Sequence, residues 1–141
     1  MRSRSKKLKS LGELTLEYRS DFALHSLDDS LRQIFNIEHT GWKGKSATSV
    51  LSNLSVFEFY RRTAAALCDL NALRLSVLRS SGRAIAFEFG YVGKRVYQSL
   101  KVGYDERFAA YSPSQLLTME LLRHFHRSGE IAAFDTPRRT R

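Results

Sequence analysis

The chain has 141 residues, of which 43% are hydrophobic and 26% charged, and its formal net charge is +9 at pH 7. This length and composition are those of one globular domain, and they do not favour a disordered chain. No apolar run reaches the roughly 18 residues of a membrane-spanning helix, and the single cysteine, Cys68, excludes an internal disulfide and a cysteine-based metal cluster. We therefore expect a soluble cytoplasmic protein that holds no metal.

The positive charge is concentrated at the two ends of the chain, in Arg2, Arg4, Lys6, Lys7, Lys9, Arg138, Arg139 and Arg141. The rest is nearly neutral, with 15 basic against 14 acidic residues. We interpret residues 1–12 as a basic lead, 13–135 as one domain and 136–141 as a basic tail. Basic ends attract polyanions without specificity, so charge alone gives little support for nucleic acid as a partner.

The first half of the chain predicts one strand and two helices. Residues 14–19 alternate apolar and polar side chains, which is typical of a strand. A first helix begins near Ser26, and a second begins with Ser55 as its cap and Glu58 three residues later. The loop between them has two glycines around the only tryptophan, Trp42. A tryptophan in such a loop either plugs the edge of a core or lines a binding cleft.

The second half opens with a meander of three strands, over residues 73–77, 84–91 and 96–101, with a hairpin turn at 80–83. Alternation in the middle strand places Ile85, Phe87, Phe89 and Tyr91 on one face and Ala84, Ala86, Glu88 and Gly90 on the other. Glu88 stands alone among small residues. It is either an exposed glutamate on the wet face of the hairpin or a carboxylate that needs a partner and is a candidate for function.

The best-marked helix of the sequence starts at Ser112, a suitable N-cap. Pro113 fits the first helical position, where no N–H is needed, and Gln115 can reach back to the cap. An apolar stripe then recurs every four residues, at Leu117, Leu121 and Phe125. A helix begun in this way offers free N–H groups and a positive dipole end to a phosphate. Every helix has such an end, so the pattern alone favours plain structure.

A last short strand over residues 131–134 completes the order strand, helix, helix, three strands, helix, strand. This order predicts an α/β fold, a mixed sheet flanked by helices. The connection from residue 101 through the third helix to residue 131 predicts that the last two strands are parallel.

Five short segments in this order resemble the acyltransferase domain of the GNAT superfamily. They are Glu38-His39-Thr40-Gly41-Trp42-Lys43-Gly44, Ala84-Ile85-Ala86-Phe87, Gly103-Tyr104-Asp105, Ser112-Pro113-Ser114-Gln115-Leu116-Leu117 and Phe134-Asp135. More narrowly, the chain is similar to the bacterial group related to cellulose-biosynthesis acetyltransferases and Fem-type aminoacyl transferases. The resemblance extends over nearly the whole chain beyond the basic lead.

The resemblance implies transfer of an acyl group from acetyl-CoA, or another acyl-CoA, to a small amine. It implies a pyrophosphate site at the loop and helix start that contain Arg107, Ser112, Ser114, Gln115 and Leu116. It places the pantetheine arm along the splayed edge of the fourth strand, at Ser99, Leu100, Lys101 and Val102, where a backbone N–H steadies the oxyanion. The candidates for the catalytic base are Glu88 and Asp135. The candidates for contact with the acceptor are Trp42, Lys43, Tyr104 and Asp105.

The chain departs from the family pattern in two respects. Ser114 stands where relatives often have glycine, and its side chain crowds an approaching phosphate. A complete fold of this type continues after the fifth strand with another helix and two strands. We therefore expect a truncated module whose exposed edge pairs in a homodimer or with a second such domain.

Three hypotheses follow from these patterns. The leading one is an acyltransferase domain, with a link to polysaccharide or cell-envelope modification that rests only on the resemblance. The second is a non-catalytic module of the same fold that pairs with another chain. The third is a small basic module that binds nucleic acid or anionic surfaces, whose binding would fall steeply with salt.

Overall fold

The computed structural model describes residues 11–23, 26–40 and 47–135. In chain order its elements are β1 (Leu14–Arg19), α1 (Leu27–His39), a 3₁₀ turn (Val50–Ser52), α2 (Leu54–Asp69), β2 (Leu73–Ser80), β3 (Arg83–Gly93), β4 (Val96–Tyr104), a 3₁₀ segment (Glu106–Tyr111), α3 (Pro113–Ser128) and β5 (Ala133–Asp135). This order confirms the α/β fold predicted from the sequence. No helix within the described residues is long and apolar enough to cross a membrane.

The five strands form one sheet in the order β1-β2-β3-β4-β5. β1 to β4 are antiparallel neighbours, whereas β5 runs parallel to β4. The parallel pair requires the crossover through α3, as predicted. Within the described ranges β5 pairs with β4 alone, so association through its outer edge stays a prediction.

The face of the sheet under α1 and α2, here called the α1–α2 face, has a core rich in aromatic side chains. Phe35 of α1 is fully buried at its centre. The centroid of its ring lies 5.5 Å from that of Phe87 and 5.3 Å from that of Tyr60. Such aromatic contacts add to the stabilisation from burial and fix α1 and α2 against β3.

The opposite face, here called the α3 face, has a separate core. The stripe predicted for α3 is buried there, at Leu117, Leu121 and Phe125. Leu11, from the segment interpreted as the basic lead, is also buried in this core. The Ser80 hydroxyl, at the end of β2, donates a hydrogen bond to the Leu11 backbone oxygen. This bond holds Leu11 against the end of β2.

A bulge in β3 changes which of its side chains share a face. The pairing of β2 with β3 shifts register at Ile85, which is the extra residue. Ile85 is buried in the core under α3, whereas Phe87 and Phe89 are buried under α1 and α2. The prediction that all three lie on one face is wrong, because strict alternation has no place for an extra residue.

Two helix starts differ from the predictions. The N-cap of α2 is Asn53, whose side-chain oxygen accepts a hydrogen bond from the Val56 N–H at 3.3 Å, so the predicted cap, Ser55, lies inside the first turn. Ser112 precedes α3 with φ 53° and ψ 57°, and its side chain makes no capping hydrogen bond. A capping side chain needs a backbone in the extended region, so the capping role predicted for Ser112 is wrong.

Replacing Asn53 with alanine is expected to lower the free energy of unfolding by about 1 kcal/mol, because the Val56 N–H loses its acceptor. Ser112→Ala is the matched control, and its expected effect is below about 0.5 kcal/mol because no cap is lost. Urea unfolding followed by circular dichroism measures both values. Equal losses in the two variants would contradict this assignment of the caps.

Candidate functional site

Among the described residues, β4 has strand neighbours on both sides only at its beginning. Its first three residues pair with the three residues of β5, and the last of these pairs joins Gln98 to Asp135. β3 pairs with β4 as far as Tyr104. Residues 99–104, here called the open edge, therefore have no neighbour on the β5 side in the described part of the chain. The outward N–H and C=O groups of such an edge are available to a ligand.

The predicted pantetheine residues lie on different sides of the open edge. Ser99 is buried on the α3 face, and Val102 pairs with Glu88 on that same face. Lys101 lies on the α1–α2 face, beside Glu38 of α1. The pairing with β3 shifts register at Leu100, which is the extra residue of a second bulge and is 42% exposed. The bulge interrupts the regular strand near the beginning of the open edge.

Gly90 of β3 has no room for a side chain, because Tyr97 and Gln98 of β4 approach it closely just before the open edge. A Cβ added to Gly90 would lie 2.5 Å from the Tyr97 hydroxyl oxygen and 2.6 Å from the Gln98 backbone oxygen. Tyr97 is fully buried, so its ring has little room to move. Glycine at this position therefore lets Tyr97 lie across β3.

Glu88 lies under α3 beside Tyr97 and is 1% exposed. Burial, followed by the negative charge of Glu88, raises the pKa of Tyr97 well above its ordinary value. Ser76, which pairs with Glu88 across β2 and β3, is buried as well, and so is Ser99. Glu88 thus belongs to a buried polar cluster. The alternative of an exposed glutamate is wrong, because α3 covers this face.

Glu38, near the end of α1, is a buried carboxylate that was part of one resembling segment but had no predicted role. It is 1% exposed, and its Oε1 lies 3.4 Å from Lys101 Nζ on the open edge. Its Oε2 accepts a hydrogen bond from the Val50 N–H at 3.3 Å. Glu38 continues the apolar stripe of α1, four residues after Ile34 and three after Phe35. A charged residue in that stripe is the pattern that identifies it.

Two further residues shape the space around Glu38. A Cβ on Gly103 would lie 2.4 Å from the Phe87 ring and 2.8 Å from Glu38 Oε1, so glycine leaves room for both the ring and the carboxylate. Burial, followed by the charge of Glu38, raises the pKa of Tyr60 on α2. The α1–α2 face of the open edge therefore carries a buried carboxylate, a lysine that is 21% exposed and a tyrosine.

The loop after β4 is held by an ion pair between two predicted site residues. Arg107 Nη2 lies 2.7 Å from Asp105 Oδ2, and Arg107 Nε donates to Asp105 Oδ1 at 2.9 Å. Burial favours a raised pKa for Asp105, but the Arg107 hydrogen bonds together outweigh it and the net pKa is lowered. Burial, then the charge of Glu106, raises the pKa of Tyr104. The Arg107 side chain remains 53% exposed, so its other N–H groups can meet an anion.

The start of α3 has fewer free backbone donors than the sequence suggested. The N–H groups of Gln115 and Leu116 both donate to the Ser112 oxygen, each at 3.1 Å. Pro113 has no N–H. Only the Ser114 N–H lacks a hydrogen-bond partner at this helix start within the described ranges. Phosphate binding by these residues stays a prediction, with Ser114 as its backbone donor.

Asp135 is exposed, is the last described residue and pairs with Gln98 of β4. It thus lies beside the beginning of the open edge, whereas Glu88 is buried beneath α3. Trp42 and Lys43 lie outside the described residues. In residues 11–23, 26–40 and 47–135, no group of three or more His, Cys, Asp or Glu side chains could hold a metal ion.

A sequence profile of the acetyltransferase (GNAT) domain matches residues 1–139. The chain belongs to this GNAT family. A GNAT fold is also found in the crystal structure of glucosamine-6-phosphate N-acetyltransferase from Arabidopsis thaliana, with a TM-score of 0.51 and 15% sequence identity over 89% of this chain and 84% of that chain. At this identity the likeness concerns the fold alone. Comparison with curated protein sequences finds no match.

GNAT acetyltransferases take acetyl-CoA as the donor, and the geometry of this GNAT domain is consistent with such a ligand. The open edge offers backbone groups to an extended molecule. Arg107 and the Ser114 N–H offer positive charge and a donor to phosphates. These features can hold a thioester and its anionic tail. The two buried carboxylates, Glu38 and Glu88, lie on opposite faces of the sheet beside β4.

Proposed function

We propose that this GNAT domain transfers an acetyl group from acetyl-CoA to the amine of a small acceptor. The main support is the open edge, residues 99–104 of β4, which pair with β3 but with no other described strand. The pantetheine arm of coenzyme A is extended and contains two amide groups, so it can pair with a strand edge as a peptide does. Membership of the GNAT family supports the choice of donor.

We assign the anionic end of the donor to the loop between β4 and α3. The Ser114 N–H and the exposed N–H groups of Arg107 are the donors there. The positive end of the α3 dipole adds to this attraction. Ser112, Gln115 and Leu116 shape the helix start, since the Ser112 oxygen accepts both following N–H groups.

In the proposed reaction the acceptor nitrogen attacks the thioester carbonyl carbon. A backbone N–H near the Leu100 bulge stabilises the oxyanion, the C–S bond breaks, and the thiolate leaves and takes a proton. Asp135 is better placed than Glu88 to accept the proton of the amine, because Asp135 is exposed beside Gln98, whereas Glu88 is buried. Glu88 then holds Tyr97 and the adjacent part of β4 in position.

For the acceptor side we propose Tyr104 and Asp105 at the end of β4, together with Trp42 and Lys43. Support for these four comes from the family resemblance in the sequence. A role in polysaccharide or cell-envelope modification has the same support and no other.

Acetyl-CoA at a hundredfold excess over its Kd is expected to stabilise the folded protein by about 2.7 kcal/mol, which raises Tm by roughly 8 °C. A thermal shift titration measures this. The replacement Ser114→Val should weaken binding about tenfold, because a branched side chain crowds the phosphate beside the Ser114 N–H, while the stability without ligand changes by less than about 0.5 kcal/mol.

Met119→Val is the matched control, since Met119 is exposed one turn further along α3. It introduces the same branched side chain away from the helix start. No thermal shift at millimolar acetyl-CoA would contradict the proposed function. Equal affinity of the Ser114→Val variant and the parent would place the phosphates elsewhere.

A further inference from the structure

We propose that Lys101 is a self-acetylation site, whose side-chain amine accepts the acetyl group from acetyl-CoA bound to the same chain. The inference rests on the proposed function, because that function places the thioester along the open edge. Besides a small acceptor, the donor would then also acetylate one particular lysine of the protein itself.

The position of Lys101 brings its amine to the thioester. Lys101 lies three residues beyond Gln98, the last β4 residue that pairs with β5. At the usual rise of a strand this is about 10 Å into an open edge that is roughly 20 Å long. The Leu100 bulge is the adjacent residue. A thioester carbonyl bound at the bulge is therefore within reach of the flexible four-carbon side chain of Lys101.

Glu38 supplies the group that takes a proton from this lysine. Its Oε1 lies 3.4 Å from Lys101 Nζ, and its Oε2 is held by the Val50 N–H. The carboxylate is buried, and Gly103 leaves the space that it fills. A carboxylate fixed at this distance from an amine is suited to general base catalysis.

The reaction balances with acetyl-CoA as the other reactant. The Lys101 ammonium loses one proton to Glu38, and the free amine attacks the thioester carbonyl carbon. An N–C bond forms, the C–S bond breaks, and coenzyme A leaves as a thiolate that takes the second proton of the nitrogen. The products are Nε-acetyl-lysine at position 101 and free coenzyme A.

Lys94 provides an internal control for uncatalysed acetylation. It lies in the turn between β3 and β4 and is exposed, whereas the Lys101 side chain is only 21% exposed. Uncatalysed reaction with acetyl-CoA in solution therefore favours Lys94. Preferential modification of Lys101 has to come from a bound donor and a nearby base.

The experiment incubates the full chain with acetyl-CoA labelled with carbon-13 in the acetyl group, followed by trypsin digestion and mass spectrometry. Acetylation blocks cleavage after Lys101, so the modified product is the peptide of residues 96–107, between Arg95 and Arg107. The expected result is at least tenfold more label on Lys101 than on Lys94. The fraction labelled per minute should not change with protein concentration, because donor and acceptor belong to one chain.

Glu38→Gln tests the base and should slow labelling of Lys101 about a hundredfold, while acetyl-CoA still raises Tm. The comparison of Lys101 with Lys94 in the unmodified chain needs no variant, so it decides the matter even where Glu38→Gln does not fold. Lys101→Arg identifies the site, because arginine is not acetylated. Trypsin should then cleave after position 101, and the labelled peptide of residues 96–107 should disappear.

Label on Lys101 that does not exceed that on Lys94 would overturn the inference, and a Tm shift by acetyl-CoA in the same sample would leave the proposed function standing. Absence of both the label and the Tm shift would overturn the proposed function as well. A labelled fraction per minute that rises with protein concentration would show transfer between chains and would also contradict the inference.

Discussion

Replacing Gly90 with alanine is expected to lower the free energy of unfolding by about 3 kcal/mol. The new Cβ would lie 2.5 Å from the Tyr97 hydroxyl oxygen and 2.6 Å from the Gln98 backbone oxygen. The Tyr97 ring is buried and the Gln98 oxygen belongs to the backbone of β4. Neither can move without repacking the core under α3. Urea unfolding measures the loss. Acetyl-CoA affinity should fall too, because β4 would shift at Gln98, directly before the open edge.

Gly93→Ala is the matched control in the same strand. A Cβ at Gly93 meets no atom within 4 Å, and its φ is not positive. Its expected effect is a small stabilisation of ~0.5 kcal/mol, from the reduced freedom of the unfolded chain. Similar effects of the two alanines would show that the Tyr97 contact does not constrain β3.

The second large effect is expected for Glu38→Ala, with a loss of about 3 kcal/mol. The Lys101 ammonium loses its carboxylate partner, and the Val50 N–H loses an acceptor in a buried position. Because Lys101 keeps some access to water, the loss should fall at the lower end for a broken buried ion pair. The same unfolding measurement gives the value.

Glu120→Ala removes a carboxylate from the Glu120–Arg123 ion pair of α3, whose N–O distance is 2.7 Å and whose arginine is 59% exposed. Its expected effect is below about 0.5 kcal/mol, because exposed ion pairs contribute little. If the losses for Glu38→Ala and Glu120→Ala were alike, the pair that joins α1 to the open edge would have no structural role.

The sequence predicted those features that depend on local pattern. The stripe of Leu117, Leu121 and Phe125 is buried as its spacing requires, and the order of elements together with the parallel β5 follows from periodicity and connection length. The hairpin turn is also confirmed, since Ser81 and Gly82 both have positive φ between β2 and β3.

Features that depend on contacts between distant residues were not predictable in this way. The bulge at Ile85 arises from the pairing with β2, so alternation within β3 could not show it. Ser112 adopts a left-handed backbone where its sequence suits a cap. The pairing of Glu38 with Lys101 joins residues far apart in the chain, and only the charge in an apolar stripe indicates it.

In the proposed complex, acetyl-CoA lies along the open edge and reaches the start of α3. Hydrogen–deuterium exchange of the full chain, with and without saturating acetyl-CoA, locates the ligand, since amides that bind a ligand exchange more slowly. We expect slower exchange in residues 99–104 and at Ser114, with β1 unchanged. Protection confined to the groove of about 720 Å³ on α2, which Leu54, Phe59 and Arg62 help to line, or protection nowhere, would contradict it.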